Sequence, residues 1–184
     1  MQIQFPQIGV CGLACRLCPS YHAHGASRCG GCKSANRMAV GCPFITCAVK
    51  QKQIEFCWEC DESESCARWR GHRAFSRTRD TFVCYQKLEA NIAFIRQNGV
   101  ASFERMHKQR ERLLREMLDG FNEGRSKTFY SIAATVLEID DLKSAIARAK
   151  KQSAGLALIE KSKLLHALID AIAKRKRLVL KLRK

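Results

Sequence analysis

The chain has 184 residues, 33 Lys and Arg against 17 Asp and Glu, and eleven cysteines. No apolar run approaches the roughly 20 residues needed to span a bilayer, which argues against a helical membrane protein. The opening MQIQFPQIGV has neither the basic leader nor the apolar stretch of a secretory signal, and the cysteine number is odd, so a secreted disulfide framework is not expected. The thiols are read as reduced, in a cytoplasmic protein.

Cysteine and charge divide the chain at the same place. Ten of the cysteines (Cys11, Cys15, Cys18, Cys29, Cys32, Cys42, Cys47, Cys57, Cys60 and Cys66) lie within the first 66 positions, where 6 Lys and Arg nearly balance 5 Asp and Glu. From Ala67 onward 27 basic residues face 12 acidic ones, so almost all of the net charge of +16 belongs to the second part. The expected organisation is a cysteine-rich module over 1–66, a connector over 67–83 packed against it, and a basic helical region over 84–184. The expected fold class is mainly α, a small metal-stapled module followed by helices.

In chain order, the module holds few large apolar residues, many of them isolated, and a segment of that size needs a staple to offset its conformational entropy. The connector ARWRGHRAFSRTRDTFV carries five arginines without a clear period. YQKLEANIAFIRQNG then places Leu88, Ile92 and Ile95 on one helical face, with Gly99 as its stop. Ser102 is the expected cap of FERMHKQRERLLREMLDG, and Gly120 its end. SKTFYSIAATVL suits a strand almost as well as a short helix. Asp140 or Asp141 is expected to cap LKSAIARAKK, and a last helix from about Leu156 carries Leu158, Ile159, Leu164, Leu165, Leu168, Ile169 and Ile172.

The cysteine spacings point to metal. Cys15/Cys18, Cys29/Cys32 and Cys57/Cys60 are C-x-x-C pairs, turns that bring two sulfurs to one ion. All ten clustered cysteines are therefore candidate ligands. Coordination of that kind contributes on the order of 10 kcal/mol at neutral pH. Paired knuckles favour zinc. Two triplets, Cys11/Cys15/Cys18 and Cys57/Cys60/Cys66, keep a [4Fe–4S] cluster as the alternative, since a triplet with a distant fourth cysteine serves such clusters. Ten thiols exceed the eight of two four-cysteine sites, and His22 or His24 are candidates for completing a third ion. Cys84, standing apart, reads as an ordinary core cysteine. Trp58 and Trp69 flank the last cysteines and are expected to pack over the metal site.

Catalysis lacks a constellation. No βα alternation follows Cys18, as a radical S-adenosylmethionine enzyme would require, and the C-x-x-C pairs lack the lone-pair, αβ setting of a thiol–disulfide oxidoreductase. His107 and His166 have no acidic or cysteine neighbour at ligand spacing. In FNEGRSK, Gly124 to Lys127 could meet a phosphate at a helix start, but a turn with Ser126 as N-cap is the favoured reading. No catalytic residue is assigned, and a binding or accessory role is expected.

CGLACRLCPSY, then CGGC, the Cys42/Cys47 pair, CAVKQKQIEFCWEC and Cys66 resemble an uncharacterised family of small cysteine-rich proteins of anaerobic bacteria and archaea, known only as a domain of unknown function. FNEGRSKTFY, from Phe121 to Tyr130, resembles a segment that accompanies that domain in a longer subgroup, so the resemblance spans residues 11 to about 135. It implies a metal-binding module without an established activity.

The basic half suggests partners. Arg68, Arg70, Arg73, Arg77 and Arg79 form one cluster and KRKRLVLKLRK, residues 174–184, another, a footprint suited to nucleic acid or to an acidic protein. No helix-turn-helix or RNA-binding signature accompanies them. Leu178, Val179, Leu180 and Leu182 among the tail cations also fit an amphipathic surface contact.

Overall fold

The computed structural model describes residues 2–184. It is mainly helical, with eight helices and no strand among the described residues beyond one isolated bridge between Ile8 and Ala14. The chain divides into two compact units, one running to His107 and taking in Arg183 and Lys184, the other Lys108–Leu182.

In the first unit the cysteine-rich segment is a run of short turns. α1 spans Ala35–Val40, and α2, Pro43–Ile45, continues into a wider π-type turn over Thr46–Gln51. Pro43 opens α2 at a position where its missing N–H costs nothing. Gly31 is required by space as well as by conformation: its φ is +104°, and a Cβ there would stand 2.5 Å from the Pro6 carbonyl oxygen.

This segment has more core than its composition suggests. Ile8, Val10, Leu17, Ile45, Ala48, Val49 and Phe56 are all buried. Further apolar surface comes from outside it, in a cluster of Trp69, Leu88 and Ile92 against which Cys11, Cys57 and Cys66 pack. The expectation of isolated apolar residues therefore needs correction, because the segment folds around side chains contributed by later helices.

The stretch expected as an aperiodic connector contains α3, Ala67–Thr78. Its arginines hid a buried face carrying Trp69 and Ser76. α4 spans Leu88–Asn98 with Leu88, Ile92 and Ile95 buried and Gly99 at φ +79° beyond its end, as the pattern predicts. α5, Val100–Phe121, begins before Ser102 and runs through Gly120, so neither residue bounds it. The Ser102 hydroxyl instead accepts a hydrogen bond from Arg105.

In the second unit, α6 (Lys127–Val136) resolves the strand-or-helix ambiguity as a helix, buried over Tyr130 to Ala134 and at Val136. α7 spans Ile139–Gln152, with Glu138 in the cap position and Asp140 and Asp141 inside the first turn, where they face the positive helix end without capping it. α8, Leu158–Arg175, buries Leu165, Ile169 and Ile172, but Leu158 and Ile159 are exposed. The last-helix stripe is thus narrower than expected. Buried Arg110 donates from Nη1 to the carbonyls of Ala134 (2.9 Å) and Leu137 (2.6 Å), satisfying the C-terminal end of α6.

Arg183 plays the same part for α3. Its Nη1 and Nη2 donate to the carbonyls of Arg77 (2.7 Å) and Ser76 (2.9 Å), while Nε and Nη2 clasp both carboxylate oxygens of Asp80, whose side chain is fully buried. Burial would raise the Asp80 pKa, but the Arg183 and Tyr85 hydrogen bonds win and hold it below the usual value. A carboxylate depressed in the folded state stabilises above its unfolded pKa and loses that contribution as pH falls through the folded one, here below about pH 4. Replacing Arg183 by Ala is expected to cost about 2–3 kcal/mol, since charged hydrogen bonds are worth about 1.5–3 kcal/mol each and Asp80 would be left buried. The same change at exposed Arg177 is expected to shift stability by no more than about 0.5 kcal/mol. Equal denaturation midpoints for the two variants would contradict this reading of the tail.

Candidate metal centre

Two neighbouring cavities in the first unit gather the clustered cysteines. One, of about 390 Å³, is lined by Cys11, Cys15, Cys18, Cys29, Cys32 and Cys42. The other, of about 210 Å³, is lined by Cys47, Cys57, Cys60 and Cys66. All ten predicted residues are accounted for, and all eleven cysteines of the chain are free thiols. Among the described residues no group of three or more His, Cys, Asp or Glu side chains stands close enough together to hold a metal ion.

The local folding explains the partition. Cys42 caps α2 and turns to the larger cavity, while Cys47, a helical turn on, lines the smaller one; Phe44 between them lines both. The CWEC knuckle is shaped by Glu59, whose carboxylate reaches back to accept hydrogen bonds from the backbone N–H of Glu55 and of Phe56, both at 3.0 Å. Cys57 N–H donates to the Val10 carbonyl at 2.9 Å, so the CWEC knuckle is fastened to the turn that leads into Cys11. Gly12, at φ +90°, lets the backbone beside Cys11 lie against Ile92, 3.1 Å from where a Cβ would stand.

The electrostatics are those of crowded, desolvated thiols. Burial pushes Cys11 up to about 12, and Cys32, Cys57 and Cys42 add to the push. Burial likewise raises Cys57 to about 12, with Cys47, Cys66 and Cys60 opposing its ionisation. Cys15 and Cys32 share a hydrogen bond, which holds Cys15 well above the ordinary value and lowers Cys32 to about 7, where Arg37 and Lys33 also favour the thiolate. The Cys32 N–H donates to Cys15 Sγ at 3.3 Å, the kind of amide contact that supports a ligating sulfur. Burial and mutual repulsion keep Cys11, Cys15 and Cys57 protonated, and only a cation placed among them would favour their thiolates together. The donor set, all soft sulfur, fits zinc or iron–sulfur and does not fit hard oxygen-seeking ions.

Cys84 lies outside both cavities, and burial raises it to about 11. His22 and His24 are absent from the lining of the larger cavity, and His22 Nε2 is engaged with the Arg16 carbonyl at 2.7 Å. Trp69 does line the smaller cavity, but Trp58 stacks on Phe56, 4.5 Å between ring centres, instead of covering the site. The sequence reading missed His72, one helical turn beyond Trp69 on α3, which lines the larger cavity with its Nε2 buried and without a hydrogen-bond partner. Its only signal was the i, i+3 spacing from Trp69 within a stretch read as aperiodic.

In the second unit, Ser126 stands at the N-cap position of α6 without a side-chain capping bond. Its hydroxyl instead meets Glu123 (2.6 Å), Ser162 (3.1 Å) and His166 Nε2 (2.7 Å), so His166 is part of a structural polar network.

Residues 7–71 match a family model described as a protein of unknown function, DUF3795. The match spans all ten clustered cysteines and ends one residue short of His72; the segment Phe121–Tyr130 lies outside it. No curated protein and no solved structure matches the chain.

Proposed function

We propose that the first unit binds metal through the thiolates around its two cavities and that the chain serves as an accessory or binding protein in the reducing cytoplasm. The single observation that supports this is the division of ten free cysteines, six around one void and four around the other. Zinc is the favoured occupant, held at C-x-x-C knuckles; an iron–sulfur cluster with a redox or electron-transfer role is the alternative. A closed, four-thiolate site is structural, and what such a site supplies to the fold is binding free energy.

Anaerobic purification followed by a visible spectrum and metal analysis tests the reading. A colourless protein with about two equivalents of zinc is the expected result, and a brown one bleached by air selects the alternative. Cys60→Ser is expected to lose about one site's metal, while Cys84→Ser keeps the full complement. Metal-free protein from anaerobic purification, or an unchanged content in Cys60→Ser, would count against the site.

The basic second part supports docking to an acidic protein or a nucleic acid. The observations narrow the surface: Arg73 and Arg77 are paired with Glu89, and Arg183 with Asp80, whereas Lys174, Arg175 and Arg177 are exposed. No helix is long and apolar enough to cross a membrane among the described residues.

A further inference from the structure

We propose that His72 is a nitrogen ligand of the metal site in the larger cavity, so that this site has a mixed sulfur and nitrogen shell while the smaller cavity is all sulfur. The inference rests on the metal-binding reading of the cysteines. Its starting point is geometric: His72 lines the same void as Cys11, Cys15, Cys32 and Cys42, and its Nε2 is buried with no hydrogen-bond partner.

The ring is held in place from three sides. Phe44 lies 5.0 Å away between ring centres, Trp69 6.1 Å, and Tyr85 5.2 Å edge-on. These contacts fix the imidazole plane without satisfying Nε2. A histidine kept only for packing finds partners for its ring nitrogens, because an unmet buried nitrogen forfeits its hydration for nothing; the usual resolution of such an orphan is a water or an ion. Here the void beside it is rimmed by soft metal donors, and the imidazole nitrogen is itself a common ligand of the same metals. The larger cavity also has more thiols than one four-coordinate ion uses, so its ligands must be selected among themselves. A donor fixed on α3, a helix of twelve residues, is better positioned than thiols on the short turns of the cysteine-rich segment.

The test uses the full chain purified anaerobically, in wild-type, His72→Ala and His72→Cys forms. Metal content is measured first. X-ray absorption at the edge of the metal found then reads its neighbours, with pulsed EPR of the reduced protein added if the metal is iron. The wild type is expected to show a nitrogen neighbour, at about 2.0–2.1 Å for zinc, beside sulfur at about 2.3 Å. His72→Ala is expected to lose that nitrogen, and His72→Cys to regain a full metal complement with sulfur only. An all-sulfur shell in metal-loaded wild type, or a nitrogen component that survives in His72→Cys, overturns the assignment while leaving metal binding intact. Absence of metal from the wild type is a different outcome, since it removes the underlying reading as well.

Discussion

Stripping the metal is expected to unfold the cysteine-rich part of the first unit while residues 108–182 stay helical. Coordination of a structural zinc is worth on the order of 10 kcal/mol, comparable to the whole stability of a small domain. The buried residues Ile8, Val10, Ile45, Val49 and Phe56 supply a core, but it surrounds two voids lined with thiols that repel one another once ionised. The readout is favourable because both tryptophans of the chain, Trp58 and Trp69, lie in this unit. Treatment with a strong chelator is expected to abolish the tryptophan part of the near-UV signal and red-shift the tryptophan emission, with most of the far-UV helical signal, and the near-UV contribution of buried Tyr130, retained. The linkage to pH follows from the raised thiols: with Cys11 and Cys57 near 12, metal must displace their protons, so its hold weakens as pH falls. Tryptophan signals that survive complete metal removal would show that the apolar cluster suffices and that the metal has no structural part.

The second large effect is expected from Glu55. Its Oε1 accepts from Lys33 Nζ at 2.6 Å and from Phe5 N–H at 2.7 Å, and its Oε2 from Gln4 N–H at 3.1 Å. The Lys33 side chain is completely buried, its ammonium 3.9 Å from the centre of the Phe56 ring. Burial lowers the Lys33 pKa and the bond to Glu55 opposes that shift. Glu55→Ala strands a buried ammonium and leaves two backbone donors unmet, an expected loss of about 3–5 kcal/mol. Replacing both partners, Lys33→Met with Glu55→Leu, is expected to cost less than Glu55→Ala alone, because two desolvated charges then leave together. Denaturant titration followed by tryptophan emission measures both. A single-variant loss below about 1 kcal/mol would mean that Lys33 escapes to water when its partner is gone.

These two effects share a cause. The first unit has an apolar core, but it is interrupted by thiol-lined voids and a buried ion pair, interactions that are strong only because they are desolvated. The pair Lys33–Glu55 fastens the N-terminal residues, the thiols gather around the voids, and Arg183 closes α3 from the far end of the chain. Truncating the basic tail is therefore not a clean removal of positive charge, because Arg183 leaves with it. A nucleic-acid or acidic-partner assay is better read on Arg175 and Arg177, which are exposed.

Much of the first unit's chemistry was legible in the sequence, because C-x-x-C spacing is a local property: the turns that join Cys15 to Cys18 and Cys57 to Cys60 are closed by their own backbone hydrogen bonds. The helical period at Leu88, Ile92 and Ile95, and the stop at Gly99, are local in the same sense. That same helical periodicity after Cys84 is what made the chain read as mainly α. What the sequence did not contain was which distant groups meet. Cys42 and Cys47 read as one pair yet serve two cavities, because a helical turn from Pro43 points them in different directions. Ser102 and Asp141 are good capping residues, but their helices begin two residues before them, so each lies inside the first turn and its capping propensity went unused. Arg183 and Asp80 stand more than a hundred residues apart, and nothing in either neighbourhood announces the other. His72 is the clearest case: as a residue it is one histidine among arginines, and only the packing of α3 beside the thiols, which removes its Nε2 from water without giving it a partner, makes it a candidate ligand.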